Sequence, residues 1–217
     1  MIEFREVSKS FWAGRGRKIV LDRASFRIEE GVNLGILAPN GTGKTTLINM
    51  MAGLEQPDEG RIIREGRVSF PLGHRGGVEG SLSAAENARF LARLYGHDPD
   101  RVEAFLRWLT DLGDYFDMPV STYSAGMRQR LTMGLMLAMP FDLYLIDEGL
   151  PSAADVGFLR RVRPVLRERL AAATLVIVSH DARIIEALCH RAGVLRDGRL
   201  TICPSLAEAR RLYDYVG

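Results

Sequence analysis

The amino-acid sequence predicts an α/β fold with a mixed sheet at its core, a small antiparallel sheet at one edge and a helical subdomain. Three observations lead to this prediction. Apolar runs at 32–37, 143–146 and 174–179 have the continuous hydrophobicity of strands that are covered on both faces. Short strand-like segments and turns alternate before the first run, and the stretch from about 83 to 138 is mostly helical in pattern.

The elements follow one another in a definite order along the chain. Strands are expected at 2–7, 24–28, 32–37 and 61–70, and a helix is expected at 45–53. Ser83 and Glu86 have the spacing of a capping box and open the helical stretch. Strands and helices alternate again from 141, and a last helix is expected near 206–213. We therefore expect one domain over residues 1–217, with a helical subdomain at about 75–139.

Composition and charge exclude several classes of protein. No uncharged stretch approaches the roughly 20 apolar residues that a membrane span requires. The first residues enter a strand and do not form a signal peptide, so we expect a cytosolic protein or one bound to a membrane from that side. A net charge of +2 gives no argument for nucleic acid as a partner. Cys189 and Cys203 have neither metal-binding nor redox spacing.

Residues 38–45, with the sequence APNGTGKT, fit a phosphate-binding P-loop between a strand and a helix. Gly41 and Gly43 permit backbone conformations in which successive N–H groups point at phosphate oxygens. Lys44 is expected to reach the β and γ phosphates, and the Thr45 hydroxyl to bind Mg²⁺. Asn40, Thr42 and Thr46 complete the predicted loop. Ala38 occupies the position where the pattern has glycine, and we expect binding to survive this change.

A matching acidic pair, Asp147 and Glu148, closes the apolar run at 143–146. Ligands of open parallel sheets lie at the carboxyl ends of the strands, so this pair is expected beside the P-loop. There Asp147 can hold Mg²⁺ through water while Glu148 polarises the attacking water. The third apolar run brings His180 to the same edge, where we expect it to donate a hydrogen bond to the γ phosphate.

A cluster of small residues opens the predicted helix that runs toward 138. Read locally, Ser124 is a good N-cap. Together with Gly126 it also forms a second helix N-terminus suited to phosphate. Because one P-loop already holds one nucleotide, this second terminus is best explained if it completes the site of another subunit.

The order of these motifs resembles that of ABC ATPases, with residues 123–127 in the place of the signature motif. The stretches 112–120, 123–128 and 141–148, and the tail around 197–199, resemble the ATP-binding subunits of bacterial capsular polysaccharide exporters. The resemblance covers essentially the whole chain. It implies a P-loop NTPase fold of the ABC ATPase type and ATP hydrolysis with Mg²⁺ by a head-to-tail homodimer. Each ATP would lie between the P-loop of one copy and Ser124 of the other.

The resemblance also implies partners and a location. A separate polytopic membrane permease would carry the polymer, with periplasmic export partners reached through that permease and no nucleic acid involved. The protein would then lie at the cytoplasmic face of the inner membrane as a peripheral subunit. In this family, the groove that receives the permease lies at the helical subdomain. The residues here that are expected to contribute to it are Leu72, His74, Phe90 and Tyr95.

The resemblance implies further site residues, and it also shows that one residue usual in the family is missing from this chain. An aromatic residue near the first strands stacks on adenine, which makes Phe11 the first choice and Trp12 the second. Asp155 is the residue expected in a dimer loop after Glu148. The family usually has a glutamine after the strand that follows the P-loop helix, whereas this chain has Gly73 and His74 in that region.

The motifs exclude some alternative interpretations and leave others open. A basic cluster at Arg15, Arg17 and Lys18 is typical of a solvated turn. A chromosome-maintenance ATPase head would need a coiled-coil insertion that the sequence does not have, and a P-loop kinase would have no motif at Ser124. An exporter of O-antigen or teichoic acid, or a soluble ABC ATPase scaffold, has the same motifs.

Overall fold

The computed structural model describes residues 1–14, 16–72, 77–147 and 156–214. The chain divides into two compact units. The first contains residues 1–71, 141–148 and 173–217, and the second contains residues 72–140 and 149–172.

The described residues of the first unit form two sheets. Strands β1 (Ile2–Ala13), β2 (Gly16–Ile28) and β4 (Glu59–Arg64) form an antiparallel sheet in the order β2-β1-β4. The larger sheet has the order β5-β6-β3-β7-β8 and contains β3 (Leu34–Leu37), β5 (Leu143–Asp147), β6 (Thr174–Ser179), β7 (Arg191–Arg196) and β8 (Arg199–Cys203). Its first four strands are parallel and β8 is antiparallel to β7. The predicted α/β class, with a mixed sheet and an antiparallel edge sheet, is confirmed.

The described residues of this unit also form the helices α1 (Lys44–Ala52), α6 (Ala182–Leu188) and α7 (Leu206–Asp214). One hydrophobic core joins side chains of both sheets and α1. Phe4 stacks on Phe26 in this core, with ring centroids 4.3 Å apart. Burial of such apolar surface is the main contribution to the stability of the fold. The buried side chains of α1 hold this helix against the sheets, and the loop at 38–43 leads into it.

The second unit is helical. It contains α2 (Ala84–Leu94), α3 (Pro99–Thr110), α4 (Ala125–Ala138) and α5 (Val156–Ala171), with 3₁₀ turns at Gly113–Asp117 and Val120–Thr122. The predicted capping box is confirmed, because the Ser83 hydroxyl accepts from the Glu86 N–H and the Glu86 carboxylate accepts from the Ser83 N–H. None of the helices in the described ranges is long and apolar enough to cross a membrane.

Four strand predictions were wrong at their ends. β1 was expected at 2–7 but extends to Ala13, and β2 was expected at 24–28 but begins at Gly16. The strand expected at 61–70 stops at Arg64 because Gly66 takes the left-handed backbone conformation, with φ 82°. The strand expected at 32–37 begins only at Leu34. There the Asn33 side chain accepts a hydrogen bond from Leu175 N–H and donates one to Leu188 C=O, so it replaces a residue of the backbone ladder.

Candidate nucleotide-binding site

The P-loop lies between β3 and α1. Gly41 and Gly43 both have left-handed backbone conformations, with φ values of 82° and 104°. A Cβ atom placed on Gly43 would stand 2.5 Å from a methyl carbon of Val20 on β2. Glycine at position 43 is therefore required by both backbone geometry and space.

Ala38 fits this loop without strain. Its side chain is fully buried, and its N–H donates to Ser179 C=O over 3.1 Å, which continues the pairing of β3 with β6 by one residue. Ala38 is not among the residues with positive φ in the described part of the chain. The first position of the loop thus has a backbone conformation that alanine adopts easily.

Lys44, the first residue of α1, has its side chain folded back over the loop. Its ammonium group donates to Asn40 Oδ1 over 2.8 Å and to Ala38 C=O over 3.4 Å. Thr42 Oγ1 donates to Pro39 C=O over 2.8 Å and stabilises the turn. These two oxygens of the loop contribute to the position of the largely buried Lys44 side chain.

Thr45 and Asp147 come together, as the sequence predicts for the two halves of a magnesium site. Thr45 Oγ1 lies on the first turn of α1 and donates to Asp147 Oδ2, at the end of β5, over 2.8 Å. Both are oxygen ligands of the kind that Mg²⁺ takes. They are close enough to serve one ion, directly or through bound water.

His180 follows β6 at the same edge of the sheet as the P-loop, because β5, β6 and β3 are neighbouring parallel strands. His180 is exposed. Asp181, beside it, caps α6 by accepting from Arg183 N–H. Hydrogen bonds from the Arg183 side chain and backbone lower the pKa of Asp181 to about 2, so this carboxylate stays charged next to the histidine.

The two aromatic candidates for the adenine differ in their surroundings. Phe11 is 40% exposed, and the Lys9 ammonium lies 5.0 Å from the centroid of its ring. Lys9 is held by Glu55 and Asp58. Trp12 is 84% exposed. Phe11 therefore has a positioned ring with one accessible side, whereas Trp12 is almost entirely in solvent.

Ser124 lies in the second unit, where it caps α4. Its hydroxyl accepts from Met127 N–H over 3.2 Å. Ser124, Ala125 and Gly126 are exposed at this helix N-terminus. The remaining N–H groups of the first turn are thus available to a ligand from outside.

Some predicted residues lie outside the described residues. They are Glu148, Asp155, Gly73 and His74.

Two contacts of the site were missed by sequence reasoning. Val20 packs against the Gly43 position, and the Lys18 ammonium would lie 3.8 Å from a Cβ on Gly41. Both side chains come from β2, whose strand was predicted to begin only at 24. A prediction that residues 16–21 pair with residues 9–13 would have placed Lys18 and Val20 near the loop. The β-bulges in this hairpin break the alternation of polar and apolar residues on which such a prediction depends.

The strand–loop–helix arrangement and the acidic residue at the end of β5, which β6 separates from β3, define a P-loop nucleotide-binding protein. Residues 21–150 match the family model described as ABC transporter. The chain belongs to this family. The prediction of an ATPase coupled to transport is thereby confirmed.

The curated relatives agree along nearly the full chain. The ATP-binding protein BexA of Haemophilus influenzae is 37% identical over 99% of this chain and 98% of its own length. The polysialic acid transport ATP-binding protein KpsT of Escherichia coli is 36% identical, with the same shares. The capsule polysaccharide export ATP-binding protein CtrD of Neisseria meningitidis serogroup B is 37% identical over 99% of each chain. The predicted resemblance to capsule-export ATP-binding subunits is confirmed.

Solved structures share the fold. One is an ATP-binding cassette in a dimeric post-hydrolysis state bound to ADP and Pi, with a TM-score of 0.76, 22% identity and coverage of 92% of this chain and 96% of that chain. An ATP-binding subunit of an ABC transporter aligns with a TM-score of 0.79 and 22% identity, over 100% of this chain and 95% of that chain. The predicted ABC ATPase fold is confirmed.

Proposed function

We propose that the protein is the ATP-hydrolysing subunit of a capsular polysaccharide exporter and acts on a separate membrane permease. The contact between Thr45 and Asp147 is the observation that carries the ATPase part, because it joins the P-loop to the acidic strand end. The names of the three relatives above support the capsule class. An O-antigen export ATP-binding protein, RfbE of Yersinia enterocolitica, is 34% identical over 82% of this chain, so O-antigen or teichoic acid export is the alternative.

The phosphate chain of ATP would be bound by residues of the P-loop. The backbone N–H groups of residues 41–46 and the positive end of α1 favour an anion there. Lys44 would exchange its bonds to Asn40 and Ala38 for the β and γ phosphates. Thr45 and Asp147 would hold Mg²⁺, which neutralises charge on the phosphates when bound.

Hydrolysis would depend on Glu148 and His180. Glu148 would act as the general base on the attacking water, and His180 would donate a hydrogen bond to the γ phosphate.

A second copy would complete each site. The exposed N-terminus of α4, at Ser124 and Gly126, would contact the γ phosphate bound by the P-loop of the other copy, with Asp155 at the same interface. ATP would then favour the closed dimer and the hydrolysis products the open one, since a ligand shifts an equilibrium only through different affinities for its two states.

The permease is proposed to bind the helical unit from the cytoplasmic face of the membrane. Phe90 and Leu94 lie one turn apart on α2 and are 56% and 64% exposed, which is unusual for large apolar side chains on one helix face. Export partners in the periplasm would be reached only through the permease. The protein would thus be a peripheral subunit, and it should co-purify with membranes only when the permease is present.

The replacement Glu148→Gln tests the proposed function. It should lower the hydrolysis rate by on the order of 10²- to 10⁴-fold, because the base is lost, while ATP binding is retained. Steady-state phosphate release and equilibrium nucleotide binding measure the two effects separately. Glu30→Gln, at an exposed position of the same unit, is the control. Unchanged turnover in the Glu148 variant would contradict the assignment.

A further inference from the structure

Lys18 stands beside the P-loop although it belongs to a different element. It is the direct pairing partner of Phe11 in the β1–β2 hairpin, so the two side chains project from the same face. Its ammonium nitrogen would lie 3.8 Å from a Cβ atom on Gly41. Val20, two residues further and on the same face of the strand, contacts the Gly43 position. This face of β2 therefore covers the P-loop.

The charge of Lys18 is not matched within the described part of the chain. The neighbouring cations of the hairpin have partners: Arg17 donates to Ser10 Oγ, and Lys9 pairs with Glu55 and Asp58. Among the described residues, Lys18 has no such hydrogen bond or ion pair. It adds positive charge to a loop that already contains Lys44 and a positive helix terminus, which is unfavourable until an anion binds.

The position of Lys18 indicates which part of a nucleotide it reaches. On the proposed function, adenine stacks on Phe11 and the β and γ phosphates lie in the P-loop. Lys18 is opposite Phe11 and beside Gly41, so it stands between the ring and the loop. The group that joins these two parts of a nucleoside triphosphate and has a negative charge is the α phosphate.

We propose that Lys18 donates a hydrogen bond to the α phosphate of the bound nucleotide and thereby sets its affinity, without taking part in hydrolysis. This inference rests on the proposed function and adds to it a residue that binds ATP and ADP alike. The basic cluster in the hairpin then divides in two. Arg17 projects from the opposite face and has a structural partner, while Lys18 serves the site.

The test compares Lys18→Met with Lys18→Arg and with Arg17→Met. The last variant is the matched control because it removes the same charge from the adjacent residue on the other face of the strand. Dissociation constants for ATP and ADP with Mg²⁺, and for adenosine, are measured by displacement of a fluorescent ATP analogue. Phosphate release gives kcat and KM.

Lys18→Met should weaken the binding of ATP and ADP by the same factor, about 3- to 10-fold, because a charge-assisted hydrogen bond to a shared phosphate is lost. Adenosine binding and kcat should be unchanged, and KM should rise with the dissociation constant. Lys18→Arg should restore most of the affinity. The affinity of the wild type should also fall more steeply with added KCl than that of Lys18→Met.

Unchanged affinity of Lys18→Met for ATP and ADP would overturn the inference. An equal loss for adenosine, or an equal loss in Arg17→Met, would overturn it as well, since neither effect requires an α-phosphate contact. A wild-type protein that binds no ATP would instead contradict the proposed function, so the two failures are distinguishable.

Discussion

Phe11 and Trp12 are consecutive aromatic residues, and sequence reasoning could rank them only by resemblance. The structure supplies a physical reason for the same order. Phe11 shares its face of the hairpin with Lys18 and Val20, both of which lie beside the P-loop, and the Lys9 ammonium lies over its ring. Trp12 projects from the opposite face. Phe11 is therefore the aromatic residue that we propose for the adenine, because its ring lies on the face of the hairpin that covers the P-loop.

Replacing each aromatic residue by alanine gives a prediction at this scale. Phe11→Ala should weaken ATP binding by about 1–3 kcal/mol, because a stacking surface for the base is lost. Trp12→Ala should leave it unchanged, which makes it the matched control. Isothermal titration calorimetry with ATP measures both. Equal losses in the two variants, or a larger loss for Trp12→Ala, would place the base elsewhere.

The elements that the sequence predicted well are those with a strong local signal. The buried strand at 174–179 and the capping box at Ser83 were correct because continuous hydrophobicity and a reciprocal hydrogen-bond pair depend only on nearby residues. The hairpin was predicted too short because its bulges, with positive φ at Glu6 and Arg23, interrupt the period of two. Contacts of β2 with the P-loop could not be predicted without that pairing.

The residues of the candidate site likewise divide into those that the sequence predicted and those that it could not predict. Lys44, Thr45 and Asp147 could be predicted because a known motif and the edge rule for parallel sheets bring them together. The contribution of Lys18 could not, since it depends on register and not on a motif. The extent of the helical subdomain stays a prediction.

Helix α4 packs closely on α3 through Gly134. A Cβ there would stand 2.8 Å from a methyl carbon of Leu106 and from the methyl carbon of Thr110. Helix propensity favours alanine over glycine by about 1 kcal/mol, whereas overpacking a core costs about 1–3 kcal/mol. The close approach of the two helices therefore decides the outcome.

Gly134→Ala should lower the free energy of unfolding by about 1–2 kcal/mol in spite of its higher helix propensity. Thr110→Ser removes the obstructing methyl group. Gly134→Ala should therefore cost less free energy of unfolding in the Thr110→Ser protein than in the wild type. Urea unfolding followed by circular dichroism measures these differences. A more stable Gly134→Ala protein would show that the helices are not packed as described.

At the scale of the whole molecule, each compact unit would supply one half of a nucleotide site. The first unit contains the P-loop, Asp147 and His180, and the second contains Ser124 and Gly126 at the start of α4. Each ATP would be held by the first unit of one copy and the second unit of the other. Release of phosphate would then separate the copies and drive the permease.

The mass of the Glu148→Gln protein in solution, measured by sedimentation velocity with and without excess ATP and Mg²⁺, tests this claim most directly. We predict a monomer without nucleotide and a dimer with two bound ATP molecules. Adding Ser124→Arg, which blocks the start of α4 with a large side chain, should abolish the dimer while each P-loop still binds ATP. A monomer saturated with ATP in the Glu148→Gln protein, or a dimer that persists with Ser124→Arg, would contradict the account.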